Sequence, residues 1–177
     1  MMLRLRRAGP DDAAFLTEML LEAAFWRPGA ARPAAAEALA DPHLRRYVEG
    51  WERPGDLGVV AEDLTPVGAA WWRYFEPDAP GYGWAGPSVP ELAMGVRPGE
   101  RGRGIGTALL GALVGYARER HVPALSLSVE RDNPAARLYE RVGFRPRDEG
   151  PGAVTMVYEL VEEGSEPAGA ASRGGHS

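Results

Sequence analysis

Three glycines at alternate positions, Gly102, Gly104 and Gly106, lie next to Arg101 and Arg103 between two apolar segments. Because glycine lacks a Cβ atom, the chain can turn sharply there and bring backbone N–H groups close to a ligand. The apolar run that follows is typical of a helix, and a helix N-terminus attracts anions. The two guanidinium groups add positive charge. This pattern predicts a backbone cradle for a phosphate or pyrophosphate group.

Two other glycine-rich phosphate turns fit this chain poorly. The P-loop needs a lysine followed by serine or threonine, whereas all 20 basic residues here are arginine. The dinucleotide fingerprint needs a glycine at the start of the turn and an acidic residue about 20 positions later, after a strand near the beginning of the chain. Taken alone, the Gly/Arg turn could also be a flexible loop.

Composition limits the class of protein. At 177 residues with 45% hydrophobic content, the chain is expected to form one domain with a sizeable core. A net charge of −5 argues against a nucleic-acid binder with a broad basic face. The absence of cysteine excludes disulfides, a thiolate nucleophile and sulfur ligands for a metal. No apolar run approaches a membrane span of ~18 residues and no leader pattern is present, so we expect a cytoplasmic protein without membrane association.

The first half of the chain reads as a strand, several helices and a hairpin. Alternation over 3–8 predicts a strand, and Pro10, Asp11 and Asp12 then open a helix. Residues 33–51 predict one or two helices interrupted near Pro42. Residues 58–61 and 67–75 predict a hairpin joined by a loop at 62–66, and a Pro/Gly-rich loop covers 76–90.

The second half contains the glycine turn and a βαβ crossover. Strands are predicted at 91–96 and 124–129, with a helix at about 104–120 between them. A short helix at 134–142 and two strands near 144 and 153–160 follow. The fold class is therefore α/β, with a domain over 1–161. Residues 162–177 are rich in Gly, Ser, Ala and Glu, which predicts a flexible tail.

Two motifs together resemble the GNAT superfamily of N-acetyltransferases. The first is Arg101-x-x-Gly104-x-Gly106 after a strand, and the second is Asn133-Pro-Ala-Ala-Arg-Leu-Tyr139-Glu-Arg-Val-Gly143-Phe144 about thirty residues later. The resemblance extends from residue 3 to about 160. It implies a mixed, twisted central sheet flanked by helices, in which two neighbouring strands splay apart.

The resemblance also implies that acetyl-CoA is the acyl donor and that no metal is needed. The backbone groups of Met94 and Val96 would bind the pantetheine arm like an added strand. The pyrophosphate would be bound by the glycine turn, whose residues are Arg101, Gly102, Arg103, Gly104, Ile105, Gly106 and Thr107. Asn133 would contact the pantetheine region, and Tyr139 would lie near the thioester sulfur. Many relatives place this Tyr seven residues after the Asn instead of six, so Asp132 is an alternative to Asn133.

Acetylation of an amine needs a proton acceptor, because an alkylammonium group with a pKa near ~10.4 is almost fully protonated at neutral pH. The three histidines lie far from the motifs in sequence, so a carboxylate is expected to be the base, either Glu91 or Glu130. For both residues a purely surface role stays open. Tyr139 could protonate or only orient the leaving thiolate. A backbone N–H near Met94 to Val96 is expected to stabilise the oxyanion.

The resulting hypothesis is an N-acetyltransferase that transfers acetyl directly to a primary amine of a small molecule or protein in a ternary complex. A non-catalytic acyl-CoA sensor and an acyltransferase for longer acyl chains are the alternatives. A homodimer is possible by resemblance. Aromatic residues crowd the hairpin and the loop after it. One of Trp71 and Trp72 is expected in the core, and Tyr82 or Trp84 could either line an acceptor pocket or pack in the core.

Overall fold

The computed structural model describes residues 2–160, so the tail predicted at 162–177 lies outside the described residues. Its strands are β1 (Arg4–Arg7), β2 (Leu57–Asp63), β3 (Thr65–Arg73), β4 (Glu91–Val96), β5 (Ala124–Glu130), β6 (Arg145–Glu149) and β7 (Ala153–Glu159). Its helices are α1 (Ala13–Ala24), α2 (Ala35–Ala38), α3 (Pro42–Arg45), α4 (Ile105–Glu119) and α5 (Ala135–Val142). A short 3₁₀ turn, Pro10–Asp12, leads into α1. The α/β fold class is confirmed.

All seven strands form one mixed sheet in the order β1-β2-β3-β4-β5-β7-β6. Neighbouring strands are antiparallel except β4 and β5, which are parallel and joined by α4. The predicted βαβ crossover is therefore confirmed. It leaves the carboxyl end of β4 next to the N-terminus of α4.

The two parallel strands separate almost as soon as they meet. Their register consists of the pair Glu91 and Ser126, with a hydrogen bond of 3.1 Å from Ser126 N to Pro90 O. In a strand, alternate residues direct their backbone groups to the same side. Since Pro90 faces β5, the N–H and C=O groups of Met94 and Val96 also face the β5 side, where the ladder has already ended.

Both faces of the sheet are covered, and each face has its own apolar core. The helix α4 covers one face together with α5, and α1 covers the other with the segment after α3. Trp71 and Trp72 point to opposite faces, and each is at most 1% exposed. The sequence predicted one of the two in the core, and the structure buries both, because a sheet covered on both sides buries both alternating sets of side chains.

The helix α1 packs very closely on β4 at Gly95. A Cβ atom at this position would lie 2.2 Å from the backbone oxygen of Met19. Only a glycine therefore allows α1 to approach the strand to this distance.

The hairpin between β2 and β3 is tighter than predicted. Both strands continue through the expected loop at 62–66, and the single residue Leu64, with a φ of 65°, joins them. Pairing shifts register between Ala61 and Glu62, and this irregularity accommodates the turn. In the range 2–160, none of the helices has the length and apolar character to cross a membrane.

Candidate active site

A cavity of about 860 Å³ opens where β4 and β5 separate. The end of α1 and the loop after it form one wall, the first turn of α4 forms a second, and α5 forms a third. The segment around α3 and the loop before β4 border its other end through Asp41, Tyr47 and Tyr82. The cavity thus has one end at a helix N-terminus and another among acidic and aromatic side chains.

Twelve of the thirteen residues predicted from the sequence line this one cavity. They are Glu91, Met94, Val96, Arg101, Gly102, Gly104, Ile105, Gly106, Thr107, Glu130, Asn133 and Tyr139. Arg103 is not among the lining residues: it bonds Glu100 and lies 3.5 Å from Asp63. Residues up to 48 positions apart in sequence are therefore brought around one space.

The first turn of α4 supplies backbone donors to this space. Gly104 precedes the helix with a left-handed φ of 79°, and Gly102 has a φ of 77°. The first intrahelical bond is donated by Ala108 N to Gly104 O, so the N–H groups before it have no partner within the helix. Gly104 has no side chain that could cap them. This arrangement suits an anion with several oxygens.

Close packing at Gly106 holds the helix against the strand. A Cβ atom there would lie 2.8 Å from Leu138 Cδ2 on α5 and 3.3 Å from Met94 Cε on β4. The small residue therefore lets α4 begin directly beside the splayed strand.

Arg101 lies at the cavity but is already paired with an acid. Its Nη2 atom is 3.1 Å from Glu22 Oε2, and Glu22 is buried at the end of α1 and bonds Arg32 as well. Glu22 was not among the predicted site residues, since its sequence position shows only an ordinary acid on an apolar helix.

Glu91 is the most perturbed carboxylate at the site. Its Oε1 atom accepts hydrogen bonds from Tyr47 Oη at 2.6 Å and from Gly83 N at 2.7 Å. Glu91 is 2% exposed, and burial raises its pKa to about 7, although the two hydrogen bonds act in the opposite direction. A carboxyl group with a pKa near neutrality is suited to general acid–base chemistry.

Glu130 has a different environment from that of Glu91. Its Oε2 atom is 3.1 Å from Arg27 Nη2 and 3.3 Å from Trp26 Nε1, and the side chain is 44% exposed. Unlike Glu91, Glu130 is therefore already in an ion pair and partly exposed to solvent.

Asn133 and Asp132 have local structural partners. Asn133 Oδ1 accepts a hydrogen bond of 3.0 Å from the backbone N–H of Ala135, the first residue of α5. Asp132 binds Arg27 through both carboxylate oxygens and does not line the cavity. Of the two alternatives, Asn133 is the residue at the cavity wall.

Tyr139 projects from α5 and is 7% exposed, packed edge to face on Phe144. Burial raises the pKa of Tyr139 to about 12. The hydroxyl therefore stays protonated at neutral pH and can donate a hydrogen bond into the cavity.

Sequence reasoning missed Tyr47 and placed Tyr82 only as one of two options. Tyr47 lies 44 residues before its partner Glu91, in an Ala-rich segment whose pattern indicates only a helix. Tyr82 lines the cavity, 56% exposed, whereas Trp84 donates to Phe75 O and packs with the core around α1. Across the residues that the structure describes, no group of three or more His, Asp or Glu side chains could hold a metal ion.

Comparison with known proteins shows the family that this chain resembles. Residues 18–144 match the model of the acetyltransferase (GNAT) family. The mycothiol acetyltransferase of Rhodococcus erythropolis is 31% identical over 141 residues, which are 77% of this chain and 44% of that protein. The mycothiol acetyltransferase of Nocardiopsis dassonvillei is 32% identical over 154 residues, with shares of 81% and 45%. This chain therefore spans about half the length of the curated relatives that it matches.

A solved structure has the same fold over nearly the whole chain. The yncA protein from Salmonella typhimurium, solved with its cofactor acetyl-CoA, superposes with a TM-score of 0.64 at 21% identity. The match covers 96% of this chain and 100% of the Salmonella protein.

Proposed function

Because the chain belongs to the GNAT acetyltransferase family, we propose that it transfers the acetyl group of acetyl-CoA to a primary amine. The observation that carries this proposal is the cavity between β4 and β5, which joins a helix N-terminus, strand backbone beyond the end of the β4–β5 ladder and a perturbed carboxylate. The comparisons give no support to a non-catalytic sensor. A homodimer stays a prediction by resemblance.

In the proposed complex, the donor lies along β4. The N–H groups at the start of α4 bind the pyrophosphate. Arg101 contributes a positive charge to this site once its ion pair with Glu22 breaks. The backbone of Met94 and Val96 takes the place of a strand neighbour for the pantetheine amides, and one N–H group polarises the thioester carbonyl. Acetyl-CoA supplies the thioester; every other part of the reaction uses groups of this chain and the acceptor.

The acceptor enters at the other end of the cavity. Glu91 removes a proton from the ammonium group, directly or through a water molecule, and the nitrogen lone pair then forms the bond to the carbonyl carbon. The carbon–sulfur bond breaks, and the sulfur leaves with its electron pair. The nitrogen also loses a second proton, which accounts for the proton on the released thiol. The products are the acetylated amine, CoA thiol and one proton.

Tyr139 serves this reaction as a hydrogen-bond donor to the sulfur. Its pKa of about 12 lies well above ~8.5 for a typical thiol, so complete proton transfer to the thiolate is uphill. Orienting the sulfur and stabilising its developing charge need no transfer. Of the two roles predicted for Tyr139, the burial of its hydroxyl favours orientation.

The acceptor is proposed to be a cationic primary amine with an apolar or aromatic portion. Asp41 and Glu91 bring acidic groups to this end of the cavity, and Tyr82 adds an exposed aromatic ring. Opposite charge and aromatic rings together favour an ammonium group over an anion. The acceptor of the mycothiol acetyltransferases belongs among the amines to be tested, because proteins of that name match this chain.

Turnover with a panel of amines tests the proposal. We expect CoA thiol release together with an equal amount of acetylated amine, detected by mass spectrometry. Acyl-CoA thioesters of increasing chain length test the acyltransferase alternative. Tight donor binding without thiol release from any amine would contradict the proposed activity and favour a sensor.

A further inference from the structure

Tyr47 connects Glu91 to the loop that borders the acceptor end of the cavity. It is 5% exposed, and its hydroxyl donates to Glu91 Oε1 while accepting a hydrogen bond of 2.8 Å from Tyr82 N. Gly83 N donates to the same Oε1 atom. In the described part of the chain, Glu91 Oε2 is buried and has no hydrogen-bond partner. The two oxygens of one carboxylate are thus in very different states.

We infer that Tyr47 is a positioning residue for the acetyl transfer, holding Glu91 so that Oε1 is occupied and Oε2 is left to take the acceptor's proton. This inference rests on the proposed function. In the step concerned, an N–H bond of the ammonium group breaks, its electron pair stays on nitrogen, and the proton forms a bond to Oε2. Glu91 becomes a neutral carboxyl group, which Tyr47 and Gly83 continue to bind through Oε1.

The backbone that carries Tyr47 is itself anchored on β3. Trp71 Nε1 donates to Tyr47 O at 2.9 Å. Arg73 Nη1 donates to the carbonyl groups of residues 46 and 49, at 2.9 and 2.7 Å, and its charge is balanced by the buried Asp56 at 2.8 Å. A side chain supported by a central strand can hold its partner within narrow limits.

The loop before β4 contacts the other oxygen of the carboxylate. A Cβ atom on Gly81 would lie 1.8 Å from Glu91 Oε2 and 2.8 Å from Tyr47 Oη, so only a glycine fits there. The segment 81–83 thus touches both oxygens, with a hydrogen bond to Oε1 and a close backbone approach to Oε2. Because the Tyr47 hydroxyl also accepts a hydrogen bond from Tyr82 N, one hydroxyl group holds both the Glu91 carboxylate and the loop in position.

Polar and ionisable groups from several elements lie around Glu91. They are Arg46 and Tyr47 after α3, Tyr82 in the loop, Ser126 on β5, and Arg73 beside it on β3 with its partner Asp56. Burial is the largest influence on the pKa of Glu91 and raises it, while the bonds from Tyr47 and Gly83 and the charge of Arg46 lower it. Removal of the Tyr47 hydroxyl should therefore raise it further.

The test is the titration of Glu91 in Tyr47→Phe, followed by NMR of protein labelled with ¹³C at glutamate carboxyl groups. The Glu91 signal is assigned by its loss in Glu91→Gln. We expect the midpoint to move up by about one pH unit, since a hydrogen bond to the charged form is lost. The acid limb of kcat/KM should move by the same amount, with KM for acetyl-CoA unchanged. Tyr158→Phe removes a hydroxyl that bonds Arg118 outside the cavity. This control should change neither the Glu91 midpoint nor the acid limb of kcat/KM.

An unchanged Glu91 midpoint in folded Tyr47→Phe would overturn the positioning role, whether or not the protein turns over. Absence of turnover in the unaltered protein would overturn the proposed function instead, because the NMR midpoint does not depend on it. If Tyr47→Phe does not fold, Gly81→Ala provides a second approach. It should displace Oε2, move the midpoint and slow transfer, and an unchanged midpoint there would also contradict the inference.

Discussion

The two candidate catalytic carboxylates at this site are the same residue type but have different environments. Glu91 and Glu130 are both carboxylates at strand ends, yet Glu91 is buried with a pKa of about 7 while Glu130 is paired with Arg27. Sequence reasoning identified both residues and favoured Glu91, but it could not show their environments. The difference arises from the burial of Glu91 and from the pairing of Glu130 with Arg27, and both depend on how separate segments of the chain pack together and not on any local pattern.

At Tyr139 we predict a loss of rate without a loss of donor affinity. Tyr139→Phe removes a hydrogen bond to the departing sulfur, and a bond to a charged group is worth ~1.5–3 kcal/mol, so kcat should fall roughly tenfold to hundredfold. Acetyl-CoA affinity, measured by calorimetry, should stay the same. Tyr158→Phe is the matched control. An unaltered kcat in Tyr139→Phe would show that the phenol serves packing alone.

At Glu91 the raised pKa makes stability depend on pH. The folded protein keeps this proton up to a pH of about 7, whereas an ordinary glutamate releases it near 4.5. The unfolded state therefore binds fewer protons in this window, and stability falls as pH rises through it, by roughly 3 kcal/mol in total.

Glu91→Gln lacks this titration and is the reference for the measurement. The free energy of unfolding of the unaltered protein, minus that of Glu91→Gln, should decrease between pH 4.5 and 7 and level off above 7. Urea unfolding at a series of pH values gives both curves. A difference that stays constant with pH would mean that Glu91 titrates normally.

Among the elements, those with a strong local pattern were predicted well. The motif strand, α4, β5 and α5 all lie within two residues of their expected limits, because glycine and proline mark their ends and apolar periodicity marks their length. The prediction of a hairpin loop at 62–66 was wrong. The local sequence around Glu62, Leu64 and Pro66 favours a loop, but strand pairing in the sheet overrides that local preference.

The contact between α1 and β4 gives a prediction at the scale of elements. In Gly95→Ala the new methyl group meets the backbone of α1 at Met19, so the helix must move away. We expect a loss of about 1–3 kcal/mol in the free energy of unfolding, as for other overpacked positions.

Gly115→Ala in α4 is the control for this change, because a Cβ atom there has open space around it. Alanine in place of glycine inside a helix should stabilise the protein by up to ~1 kcal/mol. Urea unfolding of the two variants should thus give shifts of opposite sign. Equal shifts would contradict the close approach of α1.

On the scale of the whole molecule, the sheet is continuous except where β4 and β5 separate, and the cavity lies at that break. The glycine turn and the Asn133 to Phe144 motif were visible in the sequence because their chemistry is carried by neighbouring residues. The acceptor end was not, since Asp41, Tyr47 and Tyr82 come from separate segments that only the folded chain brings together.

The most direct test of donor binding in this cavity is calorimetric titration of acetyl-CoA into Gly104→Glu. The new carboxylate would lie at the start of α4, where the pyrophosphate is proposed to bind, and should abolish binding. Gly104→Ala controls for the left-handed φ, which costs a non-glycine residue about 1–2 kcal/mol. Gly111→Glu adds the same charge at an exposed position further along the helix. We expect the two controls to bind acetyl-CoA at one site per chain. Unaltered binding by Gly104→Glu would contradict the proposed donor site.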